Sequence, residues 1–223
     1  MTPRSTLDLA PDHDQPLAER AYALLERMVV TLELPPGQTF SENELIDRAG
    51  LGRTPVREAL QRLAWEGLLD IRPRAGIAIA PVHPADWRRI IDVRTGPEMI
   101  LVRAAALNAS HSHEPFREAA LAMQKAVIAD SVLLFLRADK AFDVALSNAA
   151  DNPFASRCCA PLQTLSRRFW FRYMAETGLG EAAEAHIQLI EAITTGDLDH
   201  AEAAGRAMLA TLMHHAVRIA QTR

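Results

Sequence analysis

From Leu17 onward, Leu17, Ala21, Leu24, Leu25, Met28 and Leu32 recur at three- and four-residue spacing, the period of an amphipathic helix, and Pro35-Pro36-Gly37 ends the run. Ser41 followed three residues later by Glu44 is a capping-box signature, which predicts a short helix to about Ala49. Gly50 and Gly52 bracket a tight turn, and a third helix is expected from about Arg53 to Glu66, closed by Gly67. Leu69, Ile71, Ile77 and Ile79 then surround Pro73, Arg74 and Gly76, which predicts a two-stranded hairpin over residues 68–81.

Beyond Pro81 the strand signal stops. Pro84 stands where a new helix begins, and breaks fall near His113–Pro115, Ala150–Pro153, Gly178–Gly180 and Gly196–Asp197. The expected fold class is therefore mostly α. A winged helix-turn-helix with a small β-hairpin is expected at 17–81, then an all-helical bundle of about six helices at 84–223, with 1–16 a flexible tail. Aromatics at 5% and an alanine- and leucine-rich chain agree with helices rather than a sandwich or barrel. An apolar fraction of 49% excludes long-range disorder.

Charge narrows the function classes. The net charge of −4 excludes a bulk polycation that coats nucleic acid, but it leaves room for a local basic patch. Lys125 and Lys140 are the only lysines, so the basic chemistry is almost wholly arginine. No apolar run reaches the length of a membrane span, and Asp8, Asp12 and Asp14 make the first 16 residues unlike a signal peptide. The adjacent Cys158 and Cys159 have neither staple nor zinc-finger spacing, so a cytoplasmic location is expected.

Two sets of polar residues carry candidate chemistry. On a helix from Arg53 to Ala64, Val56, Ala59, Leu60 and Leu63 fall on one side, and Arg53, Thr54, Arg57, Glu58 and Gln61 fall on the other. Arginines one turn apart on a surface helix can reach phosphates and the O6/N7 edge of guanine, and a free helix N-terminus favours phosphate. Arg72 and Arg74, with Gly76, would add positive charge to the wing. In the second half, Arg94 and Glu98 lie within the apolar face of Trp87, Ile90, Ile91, Leu101 and Ala105. Asp139 and Asp143 lie within that of Val132, Phe135, Leu136, Phe142 and Leu146, and His186 within that of Leu189, Ile190 and Ile193. Inward-facing ionised groups require partners: one another, a metal or a ligand. One arrangement is an internal network pairing Arg94 with Asp139 or Asp143; another is a polar ligand cavity. The cluster Arg167, Arg168 and Arg172 around Phe169, Trp170 and Phe171 reads as core aromatics with exposed arginines. His13, His83, His111, His113, His200 and His214 are expected to be solvated.

The run PPGQTFSENELIDRAGLGRTPVREALQRLAWEGLL resembles the N-terminal domain of the GntR family of bacterial transcription regulators. The resemblance implies DNA contacts from Arg53, Thr54 and Arg57 on a recognition helix, with Asn43 and Gln61 beside them, and from Arg74 and Gly76 on the wing. Asn43 stands where many members carry an arginine, and Gly52 where Ser or Thr caps the recognition helix. The stretches VRTGPEMILVRAAA, DKAFDVALSNAADNP and EAHIQLIEAITTGDLDHAEAA resemble the helical effector-binding domain of the FadR subgroup. Members often hold a divalent metal through one Asp and three His, beside a small carboxylate effector. Asp139 and His186 match that set, whereas Asp143 and Met208 replace two of its histidines. Asp139, Asp143 and His186 would therefore favour magnesium or manganese over zinc, and Arg94 matches the arginine that faces the cavity.

The resemblance thus implies a homodimer on a near-palindromic DNA operator, no enzymatic activity and no membrane attachment. The effector would be a small organic or sugar acid held by Arg94, Asp139, Asp143 and His186. The alternatives are a regulator whose helical domain only dimerises, and a metal-dependent hydrolase.

Overall fold

The computed structural model describes residues 15–108, 112–174 and 178–221. The tail expected at 1–16 lies almost wholly outside them, as do His13 and His111. The chain divides into two compact units, Met1–Pro81 and Val82–Arg223.

In the first unit, α1 (Leu17–Val30), α2 (Glu42–Ala49) and α3 (Arg53–Trp65) surround a core that includes Leu25, Val29, Leu45, Val56, Leu60 and Leu63. On α3 the apolar face read from the sequence is the buried one. On α1 only Ala21, Leu25 and Met28 of the six are buried, whereas Leu24 and Leu32 are half-buried, Leu17 is exposed, and Tyr22 and Val29 join the core instead. Helix α2 starts where the capping box puts it. Ser41 Oγ accepts from the Glu44 N–H at 3.2 Å, and the Ser41 N–H donates to Glu44 Oε2 at 2.6 Å. These bonds hold the Glu44 carboxyl below the usual range. Helix α2 ends at Gly50, in the left-handed region with φ 62°.

The sheet has one strand more than expected. Strands β2 (Leu69–Arg72) and β3 (Gly76–Ile79) form the hairpin, and β1 (Thr39–Phe40) pairs with the outer edge of β3, giving the antiparallel order β1-β3-β2. Thr39 faces Ala78 and Phe40 faces Ile77. A two-residue strand has too little alternation to be visible in sequence. It also explains Gly76, whose φ is 96° and where a Cβ would come within 2.7 Å of the Phe40 carbonyl oxygen.

The second unit contains six helices among the described residues: α4 (Pro84–Leu107), α5 (Glu114–Ile128), α6 (Val132–Ala150), α7 (Pro153–Met174), α8 (Leu179–Thr195) and α9 (Leu198–Gln221). Helix α4 packs against α9, α7 and α6, while α5 packs against α6 and α8. Trp87, Phe116, Phe142, Leu189 and Met208 lie in its interior. The break between α5 and α6 carries no Gly or Pro. Asp130 turns the chain with φ 45°, and Ser131 caps α6 by accepting from the Leu134 N–H at 3.4 Å. Helices α4 and α7 run through Pro97 and Pro161 without ending.

Because α2 is short and begins at its cap, Ser41→Ala should lower the stability of the first unit by about 1 kcal/mol. Denaturant unfolding of the chain would check this, and an unchanged midpoint for that unit would contradict the role given to the cap.

Candidate functional site: an arginine-bearing helix and a buried ion cluster

Helix α3 presents its polar face to solvent. Val56, Ala59, Leu60 and Leu63 are buried, whereas Arg53, Thr54, Arg57, Glu58 and Gln61 are exposed. Gly52 leads into α3 in extended conformation and provides no side-chain cap, so the first N–H groups of the helix stay available. Arg57 Nε donates to both oxygens of Glu42, at 2.8 and 2.9 Å. Arg53 reaches Asn43 Oδ1 at 3.1 Å and Glu42 at 3.5 Å. The two guanidiniums and Asn43 are therefore gathered around one acidic side chain that sequence reasoning did not single out. Its signal was position: Glu42 begins the helix that precedes the turn.

More than half of each arginine side chain remains accessible. Exposed pairs of this kind contribute about 0–1 kcal/mol, so Glu42 orients the arginines without locking them. On the wing, exposed Arg74 occupies the left-handed region with φ 65° at the hairpin turn, where the Ala75 N–H donates to the Arg72 carbonyl at 3.1 Å. Gly76 has a structural reason to be glycine, given above.

In the helical unit, the inward-facing groups are brought together, but not in the pairs expected. Arg94 is paired with Glu98, one turn along α4, through Nε to Oε2 and through Nη2 to Oε1 at 2.7 Å. Neither Asp139 nor Asp143 is its hydrogen-bond partner, and it also lines the cavity beside the cluster. The Cys159 thiol donates to Glu98 at 3.5 Å, and burial followed by the Glu98 charge pushes that thiol's pKa up.

The aspartates pair with Arg167. Its Nη1 reaches Asp139 Oδ2 at 3.2 Å and also Asp143 Oδ2, and its Nη2 donates to Thr164 Oγ1 at 2.9 Å. Arg167 and Arg168 are 8% and 1% exposed, which corrects the expectation of exposed arginines on this helix; Arg172 alone is exposed. The signal was there: Gln163, Arg167, Trp170 and Met174 fall on one stripe of α7, and all four are buried.

His186 completes the cluster. Its Nδ1 faces the Ala182 carbonyl at 2.7 Å, and its Nε2 lies 2.9 Å from Asp139 Oδ1. With Nδ1 donating to Ala182, a lone pair on Nε2 would face a carboxylate oxygen. A proton there makes an ion pair instead, and the interaction with Asp139 raises the imidazole pKa against the opposing effect of burial.

The two aspartates titrate apart. Burial would raise both, but His186, then Arg167 and Arg94, hold Asp139 below the usual carboxylate range. At Asp143, burial and the neighbouring Asp139 charge outweigh Arg167 and Arg94 and push the carboxyl up to about 7. Asp143 Oδ1 is buried with no hydrogen-bond partner among the described residues.

A cavity lies beside this cluster, lined by Arg94, Asp139, Ser166, Arg167, Trp170 and His186 with Phe135, Leu136, Ala182 and Leu212. Its free volume of about 20 Å³ is room for one water molecule. The donor set does not fit a divalent metal. A guanidinium nitrogen lies against both carboxylates, and Met208 supplies no hard donor. Among the described residues, no group of three or more His, Cys, Asp or Glu side chains is placed to hold a metal ion. Of the remaining histidines, His83, His200 and His214 are exposed and His113 is half-buried. His215 is buried and reaches Glu181 at 3.2 Å, apart from the cluster. No helix among the described residues is long and apolar enough to cross a membrane.

A short helix offering two arginines after a tight turn, followed by a wing, defines a DNA-binding protein of the winged-helix class, here joined to a helical unit with a buried polar site. The family model for bacterial regulatory proteins of the gntR family matches residues 17–79, and the FCD domain model matches 89–211. The chain belongs to the GntR family of transcription regulators, with the FCD effector-binding domain that marks the FadR-like subgroup.

A probable D-xylose utilization operon transcriptional repressor of Paenarthrobacter nicotinovorans is 29% identical, over 82% of this chain and 77% of its own length. An HTH-type transcriptional regulator in an unstable DNA locus of Streptomyces ambofaciens is 52% identical over 64 residues; the match spans 29% of this chain and 27% of that protein. Among solved structures, E. coli McbR/YncC superposes with a TM-score of 0.73 at 20% identity, covering 93% of this chain and 98% of that one. The protein is a DNA-binding regulator and not an enzyme, so the hydrolase alternative falls.

The titration of Asp143 has a measurable sign. Between its ordinary value of 3.8 and about 7, the folded state holds a proton that the unfolded state has lost. Its contribution to stability is therefore present at low pH and disappears as pH rises through that window. Asp139, Glu98, Arg94 and Arg167 are the charges that set the shift, and the raised imidazole of His186 acts in the same direction at higher pH. The difference in Tm between the wild type and Asp143→Asn should fall from about pH 5 to about pH 8. A pH-independent difference would contradict the assignment.

Proposed function

We propose that the chain acts in the cytoplasm as a homodimeric, ligand-responsive regulator that places one winged helix on each half-site of a near-palindromic operator. The observation that carries this reading is the solvent-facing pair Arg53 and Arg57 on α3, held one turn apart around Glu42. Arg57 and Arg53 read base edges or phosphates in the major groove. Thr54, Asn43 and Gln61 contact the backbone or flanking bases, and Arg74 with Gly76 brings the wing to the duplex. Two-fold protein symmetry then calls for two-fold operator symmetry.

The dimer reading is supported by α4. Val93, Ile100 and Leu107 repeat every seven residues and are exposed at 62%, 49% and 64%. Residues 93 and 107 are equidistant from 100, so a two-fold axis at Ile100 sets Val93 of each copy against Leu107 of the other. Exposed Gly96 lies on the same stripe and would let two backbones approach. The effector reading is supported by the buried cluster: a small organic or sugar acid would enter beside Arg167, Asp139, Asp143 and His186 and bias the dimer between DNA-competent and DNA-incompetent states.

Arg57→Ala should leave the protein folded and weaken specific operator binding about ten- to a hundredfold, measured by gel shift against a selected operator. Undiminished affinity would remove the recognition role from α3. Ile100→Glu should convert a dimer into a monomer by light scattering and weaken operator retention along with it. A wild-type protein that is monomeric at micromolar concentration, or a variant that still dimerises, would sink the α4 interface.

A further inference from the structure

We propose that Arg167 is a built-in cation in the helical unit, standing where a metal ion would otherwise be bound, so that an acidic effector meets a guanidinium rather than a chelated metal. The effector half of this statement rests on the function proposed above; the metal half does not.

The argument begins with donors. Asp139 and Asp143 are one turn apart on α6 and, with His186 Nε2 2.9 Å from Asp139 Oδ1, form an anionic pocket with an imidazole edge. Such a pocket buried in a helical core requires positive charge. Arg167 supplies it from α7: one nitrogen, Nη1, lies against a carboxylate oxygen of each aspartate. A second anchor, Nη2 to Thr164 Oγ1 at 2.9 Å, fixes the plane of the guanidinium. A divalent ion ligated by those oxygens would have to sit against Nη1, where charge repulsion opposes it.

The same face of the cluster offers a ligand more than a metal does. Trp170 lines the cavity and is 4% exposed, and its indole N–H is buried with no acceptor among the described residues. An indole N–H binds no metal, but it can donate to an oxygen of an organic acid. Ser166 and Arg167 line the same cavity, so a carboxylate there would find a guanidinium and a hydroxyl beside the indole of Trp170. Arg94 lines the same cavity but is held by Glu98 through Nε and Nη2 on its own helix, whereas Arg167 is held by carboxylates of another helix, one of which an effector could replace.

The test uses the full chain, stripped with chelator and titrated with Zn²⁺ and Mn²⁺ by calorimetry and elemental analysis. The wild type should take up no stoichiometric metal, and its Tm should be indifferent to chelator. Arg167→Ala, which frees the aspartates and His186, should bind Mn²⁺ at least about tenfold more tightly than the wild type, and Arg167→Lys should not. One equivalent of metal on the wild type that is lost in Asp139→Asn or His186→Ala would overturn the proposal. So would an Arg167→Ala protein that folds but gains no metal.

Should Arg167→Ala fail to fold, the wild type and Arg167→Lys still decide: metal uptake by either overturns the proposal, and none by both upholds it. Small acids such as gluconate, tartrate and succinate, screened by thermal shift with and without chelator, test the effector half. Stabilisation that persists in chelator supports direct binding, and stabilisation that requires added metal overturns it. Gel shifts run alongside separate this outcome from failure of the DNA-binding reading, because Arg57 is not involved.

Discussion

Ionised groups cannot be left alone in a helical core, and in the second unit that requirement joins four helices. Glu98, Asp139 and Asp143 are three buried carboxylates, and two guanidiniums with one imidazole answer them. Arg94 and Glu98 lie on α4, the aspartates on α6, Arg167 on α7 and His186 on α8. Cys159 ties α7 to Glu98, and Arg167 ties α7 to α6. Removing one member of such a set strands a charge, at a cost of about 3–5 kcal/mol, so the cluster fixes the register of these helices as firmly as the apolar contacts around it. The aromatic rings nearby serve the same end. Phe135 and Phe142 meet the His186 ring in edge geometry at 6.0 and 5.4 Å between centroids and pack it among aromatic neighbours.

The same side chain does opposite work in the first unit. Arg53 and Arg57 also face a carboxylate, but Glu42 is part-exposed and the pair sits in high dielectric. Its strength is small and falls further with salt. A phosphate or a guanine edge could therefore replace Glu42 at little cost, whereas separating the buried Glu98 from Arg94 would strand a charge in the core. Burial, rather than residue type, separates an arginine free to change partners from one that holds its helix in place.

The parts of this architecture that repeat were legible in the sequence. Apolar periods located α1 to α3, the Ser41 and Glu44 pair started α2, and Gly and Pro punctuation gave most breaks among α4 to α9. What escaped was either short or tertiary. Strand β1 has two residues, too few for a period, and exists because β3 offers it an edge. The turn at Asp130 and Ser131 has no Gly or Pro to announce it. The buried polar residues were legible as inward-facing, but their pairing was not, because sequence spacing orders residues along one helix and does not say which helix lies opposite. Arg94 was given the wrong carboxylates for that reason. Arg167 was misread because a run of arginines beside aromatics was weighed as composition, although its spacing from Gln163, Trp170 and Met174 marked the buried stripe.

Charge counting constrains how any acidic effector could act. With His186 protonated, three negative groups face three positive ones, and the cavity beside them has room for about one water. With Asp143 protonated, an incoming anion would meet a net positive set. With Asp143 ionised, it would add a fourth negative charge, which the low dielectric opposes. Either it arrives with a proton, or it takes the place of a carboxylate that then turns elsewhere. Asp143 is the member least committed to its place. One of its oxygens has no hydrogen-bond partner among the described residues, and its carboxyl already tends toward the neutral form. Displacing it would loosen the contact between α6 and α7 that Arg167 makes. Binding would thus be coupled to a helix–helix contact by the charge balance itself, and the differential affinity that a ligand-driven switch requires would have its structural origin at that one residue.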